Sequence, residues 1–167
     1  MGNFYRKACS DCYFKHYRQG ITIIELVVAL AVLGIIISVV IPQFSKTREN
    51  QVLKSGVQNI LSSIDKARSQ TLASLNSSQY GVRFEADKII IFTGASFISG
   101  APENETIDIT TPASITNVTL NSVSGTSGEM YFNRLSGSPS ATGVVTISTT
   151  NYSKIITISA TGRASVD

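Results

Sequence analysis

The longest apolar stretch of the chain runs from Ile21 to Ile41 and contains a single charged residue, Glu25. Folded as an α-helix, it would span about 31 Å, close to the ~30 Å hydrocarbon thickness of a lipid bilayer. Basic residues precede the stretch, and a chain rich in Ser and Thr follows it. Because an excess of Lys and Arg marks the cytoplasmic side of a span, the pattern predicts one transmembrane helix with its amino end in the cytoplasm.

Glu25 is unusual in this stretch because a carboxylate at the centre of a span costs about 2.5–3.5 kcal/mol, and somewhat less near an end. A simple anchor does not need such a charge, so Glu25 predicts a partner. Cleavage after Gly20 would create one, the new ammonium group of Ile21. Opposite charges attract strongly in a low dielectric, whereas either one alone is penalised there.

Two other interpretations of the apolar stretch remain at this point. An uncleaved signal anchor would require neither Glu25 nor a Gly at the boundary. A secretory signal cut near Ala29–Ala31 would place Glu25 inside its own apolar region. It would also leave about ten largely apolar residues on the mature protein.

A second, amphipathic helical pattern follows Pro42 and ends near Asn76. Its apolar residues recur at spacings of three and four, which indicates a helix with one buried face. The pattern comprises Val52, Leu53, Val57, Ile60, Leu61, Ile64, Arg68, Thr71, Leu72 and Leu75.

From Tyr80 onward the apolar period changes to two, and Ile, Val, Thr, Tyr and Phe become frequent, as is typical of strands. Glu85–Asp87 fits a hairpin between the first two strands, and Gly-, Ser- and Pro-rich segments predict loops at 94–102, 122–128 and 136–143. The expected class is α+β, a long amino-terminal helix packed on a carboxy-terminal antiparallel β domain. The predicted strands are Tyr80–Phe84, Lys88–Phe92, Ile107–Thr110, Ser114–Leu120, Glu129–Asn133, Gly143–Ser148 and Lys154–Ser159.

The start of the apolar stretch resembles the leader and first helix of type IV pilins and type II secretion pseudopilins. The resemblance implies that a prepilin peptidase cuts between Gly20 and Ile21 and methylates Ile21, where the family more often has Phe. It implies that Glu25 pairs with the amine of another subunit during filament assembly, and that the helix bends at Pro42. The residues that carry it are Gly20-Ile21-Thr22-Ile23-Ile24-Glu25-Leu26, with Pro42.

The rest of the chain resembles the GspH/FimT-type minor subunits of this family, in which two antiparallel sheets pack on the long helix. Two sheets are therefore expected. The expected organisation is a leader at 1–20, a transmembrane half-helix at 21–41, an amphipathic half-helix at 42–78 and an extracytoplasmic β domain at 79–167. The resemblance is carried by Ala67-Arg68-Ser69-Gln70, Phe132, Gly137, Gly143-Val144-Val145-Thr146-Ile147, Lys154-Ile155-Ile156-Thr157-Ile158 and Gly162-Arg163.

The leader carries the whole net charge of +3, since the remaining residues have equal numbers of acidic and basic side chains. The pI near 8.9 therefore supports no nucleic-acid function for the mature domain. Cys9 and Cys12 with His16 offer three metal ligands, whereas a structural zinc site needs about four. A redox Cys pair normally lies in a folded domain rather than in a leader.

Beyond the leader the chain contains neither Cys nor His, so thiol chemistry and His-dependent triads are excluded there. Glu103, Glu105 and Asp108 cluster in a predicted loop, but they lack the spacing of a known calcium loop. We therefore predict a solvated loop, no metal site, no catalytic residue and no cofactor.

These features predict a structural subunit, a minor pilin or pseudopilin, rather than a membrane-anchored enzyme. The expected location is the cytoplasmic (inner) membrane, with the β domain outside, and then a secretion pseudopilus or type IV pilus. The expected partners are prepilin peptidase, other pilin or pseudopilin subunits, the inner membrane and secreted protein substrates.

The alternative is a FimT-like minor pilin that binds DNA for natural transformation. DNA-uptake members end in Gly-Arg-x-Arg, whereas Gly162-Arg163-Ala164-Ser165 keeps only Arg163 as a candidate DNA contact. Each lost phosphate contact lowers the affinity for DNA and its dependence on salt, so DNA is the less favoured partner.

Overall fold

The computed structural model describes residues 20–167, apart from the side chains of Ile41 and Pro42. The chain separates between Val40 and Ile41 into two compact units, which are described separately. One α-helix (α1, Ile23–Leu72) is followed by a short 3₁₀ turn at Leu75–Ser77 and by nine strands. The α+β class is therefore confirmed.

The nine strands form two antiparallel sheets, as the sequence predicts. The four-stranded sheet has the order β3-β2-β1-β6, and the five-stranded sheet has the order β5-β4-β7-β8-β9. Their bounds are β1 Tyr80–Phe84, β2 Lys88–Thr93, β3 Glu105–Asp108, β4 Ser114–Leu120, β5 Val123–Gly125, β6 Gly128–Tyr131, β7 Gly143–Ser148, β8 Ser153–Ile158 and β9 Ala164–Val166.

One face of α1 completes the core that the two sheets enclose. Leu53, Ile60, Ile64 and Ala67 on this face are buried with apolar residues of both sheets, including Val82 and Phe84 of β1, and Val145 and Ile147 of β7. The charged residues of the helix lie away from the core, because Arg48, Lys54, Asp65 and Lys66 are all exposed. The predicted buried helical face is confirmed.

The helix ends three residues earlier than its apolar pattern, which continues to Leu75. Ser74 adopts a left-handed conformation with φ 48°, which stops the helix, and Leu72 and Leu75 are largely exposed. Thr71 holds this end on the sheet: its Oγ1 donates to the carbonyl of Ala67 (2.9 Å) and accepts the N–H of Tyr80 (2.9 Å).

The segment 122–128 contains a strand where the sequence predicts only a loop. Asn121 and Ser122 both have positive φ (47° and 67°), and Leu120 pairs with Val123 across them. This is the geometry of a tight two-residue hairpin, which usually contains Gly and is therefore hard to recognise in Asn-Ser. The prediction missed β5 for this reason, and it missed the short terminal strand β9.

The other strand predictions differ from the structure mainly at their ends. The third strand covers Glu105–Asp108 rather than Ile107–Thr110, because its polar residues pair with β2 at an exposed edge (Lys88 with Asp108, Ile91 with Glu105). Ile109, which the prediction placed in the strand, lies beyond it and is buried in the core. The hairpin at Glu85–Asp87 is confirmed, with Phe84 paired to Ile89.

Candidate functional site

The predicted cleavage bond between Gly20 and Ile21 lies just before the first turn of α1. Gly20, Ile21 and Thr22 are outside the helix, and all three are exposed. A Cβ built on Gly20 would meet no atom within 4 Å. The backbone of this bond is therefore not occupied by helical hydrogen bonds.

Thr22 caps the helix that follows the candidate cleavage bond. Its Oγ1 accepts a hydrogen bond from the N–H of Glu25 (3.3 Å), and its carbonyl accepts the N–H of Leu26 (3.1 Å). Thr22 and Glu25 thus occupy the first and fourth positions of the Ser/Thr-x-x-Glu pattern that is typical of helix starts. We did not assign Thr22 a role from the sequence, although this pattern is visible there.

Glu25 is the acidic residue of the first helical turn. Backbone N–H groups without helical partners give this end of a helix a partial positive charge, which favours a carboxylate by about 0.3–1 kcal/mol. The same partial charge disfavours an ammonium group at Ile21. Glu25 therefore lies at the end of the helix that favours a carboxylate, close to the candidate cleavage bond.

The apolar residues that follow Glu25 are exposed throughout the first unit, as the exposed fractions of Leu30 (60%) and Ile35 (68%) illustrate. Among the described residues, α1 is the one helix long and apolar enough to cross a membrane. The residues on both sides of Pro42 are helical, and the predicted bend there stays a prediction.

The residues considered for metal binding do not form a site in the part of the chain that the structure describes. No group of three His, Cys, Asp or Glu side chains within residues 20–167 could hold a metal ion. The Glu105 carboxylate instead forms an ion pair with Lys66 Nζ, at 2.6 Å. Cys9, Cys12 and His16 lie outside the described residues.

Three segments that carry the family resemblance meet at one contact in the β domain. Arg68 of α1 donates a hydrogen bond from Nε to the carbonyl of Gly137 in the loop between β6 and β7 (3.1 Å). Gly162, in the turn between β8 and β9, is buried against both residues: a Cβ there would lie 2.5 Å from Gly137 O and 3.0 Å from Arg68 Nε. The role of these residues in the structure is therefore to join α1 to two loops.

The candidate DNA contact, Arg163, lies beside this joint and is exposed. Its backbone closes the β8–β9 turn, since Arg163 N–H donates to Ser159 Oγ (3.2 Å) and Ser159 N–H donates to the Arg163 carbonyl (2.9 Å). The loop that contains Gly137 also contains Arg134, which is exposed. The structure thus brings two cationic loops together, a proximity that the sequence does not reveal.

An ion-pair cluster occupies the outer face of the four-stranded sheet. Arg83 binds Glu85 (Nε to Oε1, 2.8 Å) and Glu129 (Nη1 to Oε2, 3.0 Å), and its guanidinium lies 4.7 Å from the centre of the Phe97 ring. The hydrogen bond from Arg83 lowers the pKa of Glu85 below its ordinary 4.5, and Lys88 adds to the effect. This cluster holds the loop after β2 on the sheet and resembles no catalytic arrangement.

Residues 15–41 match the family model described as the prokaryotic N-terminal methylation motif. The match includes the candidate cleavage bond, Glu25 and the whole apolar stretch. It supports a pilin-like class for this chain. A pilin-like motif indicates a prepilin leader, processing by prepilin peptidase and a membrane-anchored structural subunit that assembles with other pilins. No curated protein and no solved structure matches the chain.

Proposed function

We propose that the chain is a minor pilin or pseudopilin subunit that assembles into, or at the tip of, a type II secretion pseudopilus or a type IV pilus. The observation that carries the proposal is the methylation motif at residues 15–41, with Glu25 in the first turn of an exposed apolar helix. The GspH/FimT-like sequence pattern supports a minor subunit, and three of its residues, Arg68, Gly137 and Gly162, form one structural joint.

Processing is the first step of this function. Prepilin peptidase would cut after Gly20 and methylate Ile21, leaving residues 21–167 anchored in the inner membrane by residues 21–41 with the β domain outside. Assembly would then bring the Glu25 carboxylate of one subunit to the Ile21 amine of another, so that neither charge stays unpaired in hydrocarbon. Other pilin subunits and secreted proteins are the proposed partners of the assembled form.

Mass spectrometry of the chain from its native membrane tests the processing step. We expect an amino terminus at Ile21, with one added methyl group, in cells that contain the peptidase. Gly20→Leu should accumulate as precursor, because the resemblance implies that the peptidase requires Gly before the cut, whereas the chain itself has room for a larger side chain there. Gly34→Leu is the matched control inside α1, where an added Cβ also meets no atom within 4 Å, and it should be processed normally. A membrane-extracted chain that still begins at Met1 would contradict the proposal.

A second candidate function is DNA binding for natural transformation. The proximity of the loops that carry Arg134 and Arg163 favours it. The absence of a second arginine at position 165, where Ser165 stands, weakens it. The balanced charge of residues 21–167 weakens it further, so DNA binding ranks below filament assembly.

A further inference from the structure

A groove with an apolar floor lies between α1 and the β8–β9 hairpin and has a volume of about 280 Å³. Leu53 and Val57 of the helix and Val166 of β9 line the floor, and the exposed side chains of Lys54 and Lys154 line the rim. The ion pairs found within residues 20–167 include neither lysine. Lys154 Nζ donates to the main-chain carbonyl of Asp167 at 3.1 Å, so Lys54 is the more available cation.

A loop with the complementary features follows β2. Ile98 exposes 66% of its surface, and Glu103 is exposed and absent from the same ion pairs. Asn104 Nδ2 donates to the Ile98 carbonyl (2.8 Å), as does the N–H of Ala101 (3.4 Å), and these bonds hold the loop compact. The loop thus contains one exposed apolar side chain and one exposed carboxylate.

The groove and the loop lie on opposite flanks of the helix. Lys54 and Lys66 are six residues before and six residues after the fully buried Ile60, which is a rotation of about 120° in opposite directions. The Lys54 flank carries the groove. The Lys66 flank carries the strand that follows the loop, because Lys66 binds Glu105 of β3. A single copy therefore cannot fill its own groove with its own loop.

We propose that the groove receives the loop 98–104 of a second copy of this chain, with Ile98 on the apolar floor and Glu103 beside Lys54 and Lys154. The two surfaces differ, so the contact is heterologous, and each copy keeps one unused surface for a further copy. The contact extends the proposed function, which states that subunits assemble but not which surfaces of their β domains meet.

The inference rests on the proposed function, because groove and loop meet in this way only if copies of this chain assemble side by side.

Disulfide formation between two differently tagged full-length copies tests the contact. In a Cys9→Ser, Cys12→Ser background, one copy carries Gln58→Cys at the groove and the other carries Ser99→Cys on the loop; both native residues are exposed. We expect a mixed dimer on oxidation of membranes, several-fold more abundant than with the control pair Ser62→Cys and Ser99→Cys. Ser62 is exposed on the helix and does not line the groove.

Charge reversal makes the test specific. Glu103→Lys in the loop copy should reduce the mixed dimer several-fold, and Lys54→Glu with Lys154→Glu in the groove copy should restore it. A mixed dimer no more abundant than the control, as expected if another protein or a nucleic acid fills the groove, would overturn the inference. The inference would also be overturned if Glu103→Lys alone, or Lys54→Glu with Lys154→Glu alone, left the amount of mixed dimer unchanged. Failure of the combined charge reversal to restore the mixed dimer would overturn it as well. The same blot separates precursor from processed chain, so a failure of processing is read independently.

Discussion

Arg68 Nε donates a hydrogen bond to the carbonyl of Gly137, 3.1 Å away and 69 residues further along the chain. Gly162 lies against both partners, so one guanidinium group connects the carboxy-terminal part of α1 with two loops of the β domain. This contact explains why an arginine occurs in the largely apolar face of the helix. It also gives the carboxy-terminal Gly-Arg pair a structural role that does not depend on any ligand.

Replacing Arg68 by Ala should destabilise the domain by about 1–3 kcal/mol, because the buried Gly137 would lose the hydrogen bond to its carbonyl. Urea unfolding of a soluble fragment that begins at Gln43 measures this change, since that fragment retains the whole buried face of the helix. Arg48→Ala is the matched control on the exposed surface and should change stability by less than about 0.5 kcal/mol. Equal effects of the two substitutions would mean that the hydrogen bond contributes nothing.

Gly162→Ala should destabilise the same fragment by about 2 kcal/mol or more. Its φ of +77° costs a non-glycine residue about 1–2 kcal/mol, and the added Cβ would overlap the Gly137 carbonyl at 2.5 Å. Gly100 has the same φ of +77°, and a Cβ added there would meet no atom within 4 Å, so Gly100→Ala isolates the conformational cost. If both variants unfold at the same urea concentration, the close packing around Gly162 is unimportant.

Glu25→Ala should leave membrane insertion intact and abolish incorporation into the filament. The substitution removes a charge that is costly in hydrocarbon, but it leaves the amine of a neighbouring Ile21 without a partner. Immunoblots of sheared filaments and of membranes measure the two outcomes. Asp65→Ala removes an exposed carboxylate from the same helix and should assemble normally. Normal assembly of Glu25→Ala would exclude the pairing role.

Glu85→Gln should lower the stability by about 0.5–1 kcal/mol at neutral pH, the upper range for a surface ion pair. Because Arg83 lowers the pKa of Glu85 below its ordinary 4.5, the stabilisation is complete above that value. It is lost as the pH falls through the lower pKa of the folded state. Unfolding curves of both proteins from pH 7 to pH 2.5 should therefore converge at the acidic end. If the stabilities of the native protein and Glu85→Gln still differ at pH 2.5, the effect of the substitution comes from packing rather than from charge.

The soluble fragment should bind duplex DNA weakly at physiological ionic strength and lose that binding early as salt is added, since few cations contact phosphate. Ser165→Arg should increase the affinity, and Arg163→Ala should remove what remains. Ser55→Arg adds the same charge on the helix and controls for net charge alone. Titration of labelled duplex at two salt concentrations measures these changes. Tight binding by the unmodified fragment, lost in Arg163→Ala, would make DNA uptake the leading function.

The periodic patterns in the sequence predict the helix, its buried face and most of the strands, because burial requires those spacings. They do not predict β5, where the turn at Asn121 and Ser122 lacks the usual Gly, or the exact end of α1, which depends on one left-handed residue, Ser74. Both are decided by backbone conformations that apolar periodicity does not encode.

The candidate site at the start of α1 is local in the sequence, so Gly20, Ile21 and Glu25 could be named from the resemblance of this segment to prepilin leaders. Contacts between segments that are distant in the sequence could not be recognised in this way. The joint of Arg68, Gly137 and Gly162, and the apposition of the loops that carry Arg134 and Arg163, arise only when the two sheets close on the helix.

The arrangement of the core along α1 has a mechanical consequence. The helix residues buried against the sheets, from Leu53 to Thr71, are spread over about 27 Å of its length. A force applied along the helix axis would load all of these contacts together in shear, rather than peeling them apart one at a time. The β domain should therefore resist being stripped from its helix when a filament that contains it is extended or pushed against a barrier.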